Sequence, residues 1–155
     1  MYNVLHSAVA ASVALPLLSG NPPLAFLFGW ATHYLLDALP HGDETDPEIL
    51  ADRPRFVRRI VAFGAVDFSL LAALCALWVF LHGWSWTLAA AVAGSALPDV
   101  MLGLGYLLGR PDMFGFFDRL HHRLHNFLGI AFSPALGLAV QAALAGLLWW
   151  RLLIF

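Results

Sequence analysis

Long apolar blocks separated by short polar joints leave this chain few folds to choose from. Five such blocks run over residues 2–19, 24–39, 57–81, 85–108 and 127–150. A bilayer-spanning helix needs about 20 apolar residues, with about 17–25 observed. The last three blocks meet that length easily. The first two are shorter, and the GNPP turn at 20–23 between them predicts a helical hairpin. Hydrophobic residues make up 61% of the 155 residues and charged residues only 12%. A soluble domain carries roughly 45–50% and about 25%. The expectation is therefore an all-α, polytopic membrane bundle of about five transmembrane helices, forming a single integral membrane domain over residues 1–155. The polar stretches 40–56 and 109–126 are expected to be cytoplasmic loops.

Charge narrows the partners and sets an orientation. The net charge of −2 excludes the basic face that nucleic acid requires. The lone cysteine, Cys75, cannot form an intrachain disulfide. The first residues lack the positive n-region of a signal peptide, so the N-terminus reads as a retained helix. There is no lysine. Arg53, Arg55, Arg58 and Arg59 follow the second block, and Arg110, Arg119 and Arg123 follow the fourth. The opposite turns carry none, and Arg151 alone lies past the fifth block. Positive residues favour the cytoplasmic side. This predicts a multi-pass protein of the inner (plasma) membrane with its N-terminus in the cytoplasm and its C-terminus outside.

That orientation brings the ionisable residues of the apolar blocks to one membrane level. His6 lies near the cytoplasmic start of the first block, and His33 and Asp37 in the inner half of the second, with His41 just past its end. Asp67 lies nearly three turns into the third block. Asp99 belongs to the inner half of the fourth, and His121, His122 and His125 precede the fifth. Only His82, beside the aromatic GWSW, falls on the far side, where it reads as an interface residue. Arginine alone set the orientation, so the coincidence argues for one shared site.

Burying an ionisable side chain in a membrane helix costs several kcal/mol unless it is paired. In HYLLDALPH, residues 33–41, the i, i+4 spacing puts His33 and Asp37 on one face, a ready pair of zinc ligands. Gly29 leaves room on that face for a neighbouring helix or ligand. Pro40 ends the regular helix and frees His41 to swing towards the site. In GSALPDV, Asp99 follows Pro98 at a kink suited to a metal or substrate. In DRLHHRLHN, His121 and His125 share a face, and Asp118 could orient them. Structural alternatives stand beside each reading: a His–Asp hydrogen bond between helices, a packing kink, a buried cap for Asp67, and an interfacial amphipathic segment for 118–126. Gly94, Gly103, Gly105, Gly137 and Gly146 read as close helix contacts.

No HExxH, Walker A or GxSxG motif is present, and no protein nucleophile stands out. Metal-activated water is then the expected attacking group. The candidate ligands are His6, His33, Asp37, His41, Asp99, His121 and His125. Asp67, Asp99 and His122 are the candidates for catalytic proton transfer, and Arg119 and Arg123 for an anionic substrate head group. The cofactor expected is a divalent metal, zinc first, then manganese or iron.

GWATHYLLDALPHGD at 29–43, LPDV at 97–100 and HHRLHN at 121–126 resemble elements of the membrane-bound metal-dependent hydrolases, a family of small bacterial and archaeal membrane proteins. Here the GxxxHxxxD element comes earlier in the chain than in the family members it resembles. The resemblance implies a divalent-metal hydrolase acting within the membrane. The His-xxx-Asp element also looks like part of the zinc cluster of bacterial phospholipases C, which would suggest a phosphoester of a membrane lipid or lipid-linked substrate. A homo-oligomer is compatible with this reading. The HHxxH spelling at 121–125 keeps a di-iron oxidoreductase of the fatty-acid hydroxylase or desaturase kind as a rival. A metal or proton transporter is a second.

Overall fold

The computed structural model describes residues 1–42, 52–125, 127–128 and 132–155. Among them are six helices: α1 (Asn3–Leu17), α2 (Pro22–Asp37), α3 (Arg53–His82), α4 (Trp86–Leu107), α5 (Phe116–His125) and α6 (Pro134–Ile154). Local sequence explains where four of them begin. The side chains of Asn21, Asp52, Ser85 and Ser133 each accept a hydrogen bond from a first-turn backbone N–H, at Leu24, Arg55, Leu88 and Leu136 respectively. In α2, α3 and α6 a proline in the first turn adds a preset φ where no N–H is needed. Gly83, at φ 84°, closes α3 in a conformation that side chains rarely adopt. Pro40 prevents α2 from continuing.

Two expectations need correction. The fifth apolar block starts as a helix at Pro134 rather than near 127, because the Ser133–Pro134 cap outweighs the apolar residues before it. The stretch 109–126, expected as a loop, contains α5, which carries polar and charged side chains on one face. Residues 43–51 of the expected 40–56 loop lie outside the described residues.

α1 is apolar all round and lies at the centre, touching α2, α3, α4 and α6. Val4, Leu5, Ala8, Ala10, Ala11 and Ala14 are all buried, as befits a helix without a polar face. α2 packs most extensively against α4, and glycines set that contact. A Cβ on Gly29 would collide with the Ala91 carbonyl, and one on Gly94 with the Phe26 carbonyl. The two backbones therefore touch at two levels, which fixes His33, one turn past Gly29, against the Ser95–Asp99 segment of α4.

α3, α4 and α6 are each long and apolar enough to cross a membrane, whereas α1 is a shorter apolar helix. Large apolar side chains such as Val66, Leu70 and Phe80 of α3 and Leu138, Leu147 and Trp150 of α6 are exposed on the outside of the bundle. Apolar surface on this scale is consistent with membrane association.

Candidate metal centre

The site is built around Asp37, whose side chain is fully buried at the end of α2. His6 Nε2 from α1 lies 3.1 Å from Asp37 Oδ1, and the Met1 amino group lies 3.2 Å from the same oxygen. Asp37 Oδ2 faces His33 Nε2 at 3.1 Å and His121 Nε2 of α5 at 3.4 Å. Asp99 Oδ1 of α4 approaches the same two nitrogens, at 3.6 and 3.8 Å. Four helices thus deliver side chains to one point, in the kind of convergence the orientation argument anticipated.

The tautomer of a neutral His33 can be deduced from its partner. Its Nδ1 is 2.7 Å from the Ser95 carbonyl, which can only accept, so Nδ1 carries a proton and donates it. In the neutral ring Nε2 is then a bare lone pair, and it points at two carboxylates. Although His33 Nε2 and Asp37 Oδ2 lie within 3.1 Å of each other, neither has a hydrogen-bond partner among the described residues; nor does either ring nitrogen of His6, nor His121 Nδ1. Buried polar atoms are normally satisfied. Lone pairs from His33, Asp37, Asp99 and His121 gather within 4.8 Å of one another and form a set able to hold a metal ion.

The donor chemistry fits a divalent ion. Two carboxylates supply two negative charges and two imidazoles supply neutral nitrogen, a combination zinc accepts. The Ser95 carbonyl holds the His33 ring by its far nitrogen, which is how metal-binding histidines are oriented. Burial pushes the His121 imidazole down to about 4, so the ring is neutral near pH 7. Asp99 is the least enclosed of the four, with 23% of its side chain exposed, and marks the open side. Its other oxygen accepts from Asn3 Nδ2 at 3.0 Å.

A second group adjoins the first. His41 is buried, its Nδ1 donates to the Leu39 carbonyl, and its Nε2 lies 3.2 Å from His125 Nε2. With Asp37 these two rings form another set able to hold an ion. The His41 backbone is pinned by Gln141, whose Nε2 donates to its carbonyl at 2.7 Å, and the same glutamine's Oε1 accepts from Tyr2 N.

The remaining predicted residues sit elsewhere. Asp67 is apart from the convergent sets, with both oxygens accepting from the start of α1: Oδ2 from Asn3 N at 2.7 Å and Oδ1 from Val4 N at 3.1 Å. It caps a helix whose own N-cap residue, Tyr2, makes no side-chain capping hydrogen bond. His122, Arg119 and Arg123 are exposed on α5. Asp118 is buried and accepts from Phe114 N at 2.7 Å. Sequence reasoning missed Asn3, the Ser95 carbonyl and Gln141. Gln141, a polar side chain within an apolar block, did carry a signal; the other two did not.

The chain matches no family model, curated protein or solved structure. Its likeness to membrane-bound metal-dependent hydrolases therefore rests on the short motifs, and the functional reading rests on the site.

Proposed function

We propose that this chain is an integral membrane, metal-dependent hydrolase that cleaves a phosphoester or ester bond of a lipid-like substrate. The observation that carries the reading is the buried convergence of His33, Asp37, Asp99 and His121, with His33 Nε2 and Asp37 Oδ2 unsatisfied. These four residues would hold the ion, zinc before manganese or iron. When bound, a divalent ion supplies acidity to water, lowering its pKa to about 7, and polarises a phosphoryl or acyl oxygen. His33 and His121 contribute neutral nitrogen, and Asp37 anchors the ligands from three helices. Asp99, on the open side, is the residue we assign to take up a proton from water at the site. Asp67 acts at a distance by fixing α1, and with it Asn3 and His6. Arg119 and Arg123 meet the anionic head group.

Two features support a lipid-like substrate. The outer faces of α3 and α6 are apolar. A cleft of about 550 Å³ between α1, α3 and α6 is lined by apolar side chains such as Phe63, Leu138 and Trp149. Asp67 and Gln141 also line it, and their hydrogen bonds to Asn3, Val4 and His41 tie its wall to residues that adjoin the site. The arginine pattern supports a site at the cytoplasmic side of the plasma membrane.

Metal analysis of purified protein, combined with a screen against lipid phosphoesters and acyl esters, tests the reading. Near-stoichiometric metal is expected, and His33→Ala or Asp37→Ala should remove both metal and hydrolysis. A folded variant that keeps its metal sinks the assignment. Iron with oxygen-dependent turnover would indicate an oxidoreductase instead, and metal flux into proteoliposomes a transporter.

A further inference from the structure

The two ligand sets share one residue, and the sequence around each explains why. In HYLLDALPH, His33, Asp37 and His41 follow at intervals of four. On α5, His121 and His125 repeat the interval, and their rings stack with centroids 5.6 Å apart and planes 21° apart. The two ladders run side by side. His33 and His121 meet at one rung, His41 and His125 at the other, and Asp37 lies between them and belongs to both sets.

We propose that the centre binds two divalent ions, one at His33, Asp99 and His121 and the other at His41 and His125, with Asp37 shared between them. The proposal rests on the reading that the first set binds metal. Carboxylate has two oxygens and can serve two ions, whereas each imidazole offers one lone pair. The second position is constructed with as much care as the first. The Leu39 carbonyl takes the His41 Nδ1 proton, which leaves Nε2 as an acceptor facing His125 Nε2. Gln141 holds the His41 carbonyl. Gly137 lets that carbonyl approach α6, since a Cβ there would collide with it. Gly42, at φ 78°, makes the turn that follows, and its own Cβ would lie 2.8 Å from Gly137 Cα. Paired ions at about 3.5–4 Å are the arrangement used to hold both the attacking and the leaving oxygen of a phosphoryl group. Of the two ester classes left open above, this favours the phosphoester.

The test is metal stoichiometry and spin coupling on the intact protein loaded with Mn²⁺. Wild type should take up about two ions per chain and show the exchange-coupled electron paramagnetic resonance signal of a close pair. His41→Ala and His125→Ala should each take up about one ion and give an uncoupled signal. Wild type that saturates at one uncoupled ion overturns the second site, whatever the variants do. If that single ion is lost in His33→Ala but kept in His41→Ala, the hydrolase reading survives and only the pair fails. Wild type that binds no ion removes both readings.

Discussion

Replacing Asp99 with Asn changes charge while keeping shape, and should shift stability in opposite directions with and without metal. Asp37 and Asp99 offer oxygens within 4.8 Å of each other. Two like charges at that separation repel by about 3.5 kcal/mol at an effective dielectric of about 20. Asp99 is 23% exposed, so solvent screens part of this, leaving a net of about 1–3 kcal/mol. The amide oxygen of Asn can still accept from Asn3 Nδ2, so the hydrogen bond at 3.0 Å need not be lost. Metal-free Asp99→Asn should therefore melt several degrees above metal-free wild type, at about 2–4 °C per kcal/mol for a chain of this size. Metal at about 1,000 times its Kd adds about 4 kcal/mol to wild type, and the variant should forgo most of that gain. The assay is thermal melting in detergent, with chelator and with added Zn²⁺. If instead the carboxylates neutralise protonated histidines in a purely structural network, removing one charge destabilises the metal-free protein. A lower melting point for metal-free Asp99→Asn, with an unchanged response to Zn²⁺, refutes the metal-centre argument.

Other perturbations separate the roles of neighbouring residues. Asp67→Asn should keep bound metal but lose about 0.5–2 kcal/mol in melting experiments, because it weakens the cap on α1 without touching the ligand set. Gly94→Ala should cost about 1–3 kcal/mol and weaken metal binding measured by titration, since its Cβ meets the Phe26 carbonyl and forces α2 from α4. Gly146→Ala, with nothing within 4 Å of the added Cβ, should leave metal binding unchanged and be neutral or slightly stabilising. His122→Ala should retain the wild-type metal content by elemental analysis, since the ring is exposed on α5.

Much of the helical framework was legible because apolar block length and start signals agree. GNPP, SWT and SPA each combine a cap or proline with the onset of an apolar run, and helices begin there. The fifth block misled because Phe127 and Leu128 continue its hydropathy on the far side of the Ser133 cap, and hydropathy alone does not see a cap. α5 was hidden for the opposite reason. Its polar composition resembles a loop, and only its spacing shows a helix. The pairing of His33 with Asp37 could be read from the four-residue interval. That Asp99 and His121 would meet them could be anticipated only as a shared membrane level. The contact itself depends on how closely α2 approaches α4, which Gly29 permits but does not announce.

Asp37 and Asp67 show where residue type stops being informative. Both are buried aspartates in apolar helices, with the same burial cost and the same expectation of a partner. Asp67 finds its partners in backbone N–H groups that the start of α1 would otherwise leave unmet, because Tyr2 supplies no cap. Its charge is used up by the fold. Asp37 Oδ2 has ring nitrogens around it but no hydrogen bond among the described residues, and a neutral His33 cannot supply one from Nε2 while Nδ1 holds the proton. What distinguishes a candidate ligand from a structural carboxylate here is therefore the satisfaction of each oxygen. A backbone donor leaves no mark in sequence, so the distinction emerges only once the helices are packed. HYLLDALPH keeps three ionisable groups in an apolar setting by facing others: His33 and His41 each meet a histidine of α5, and Asp37 belongs to both sets able to hold an ion.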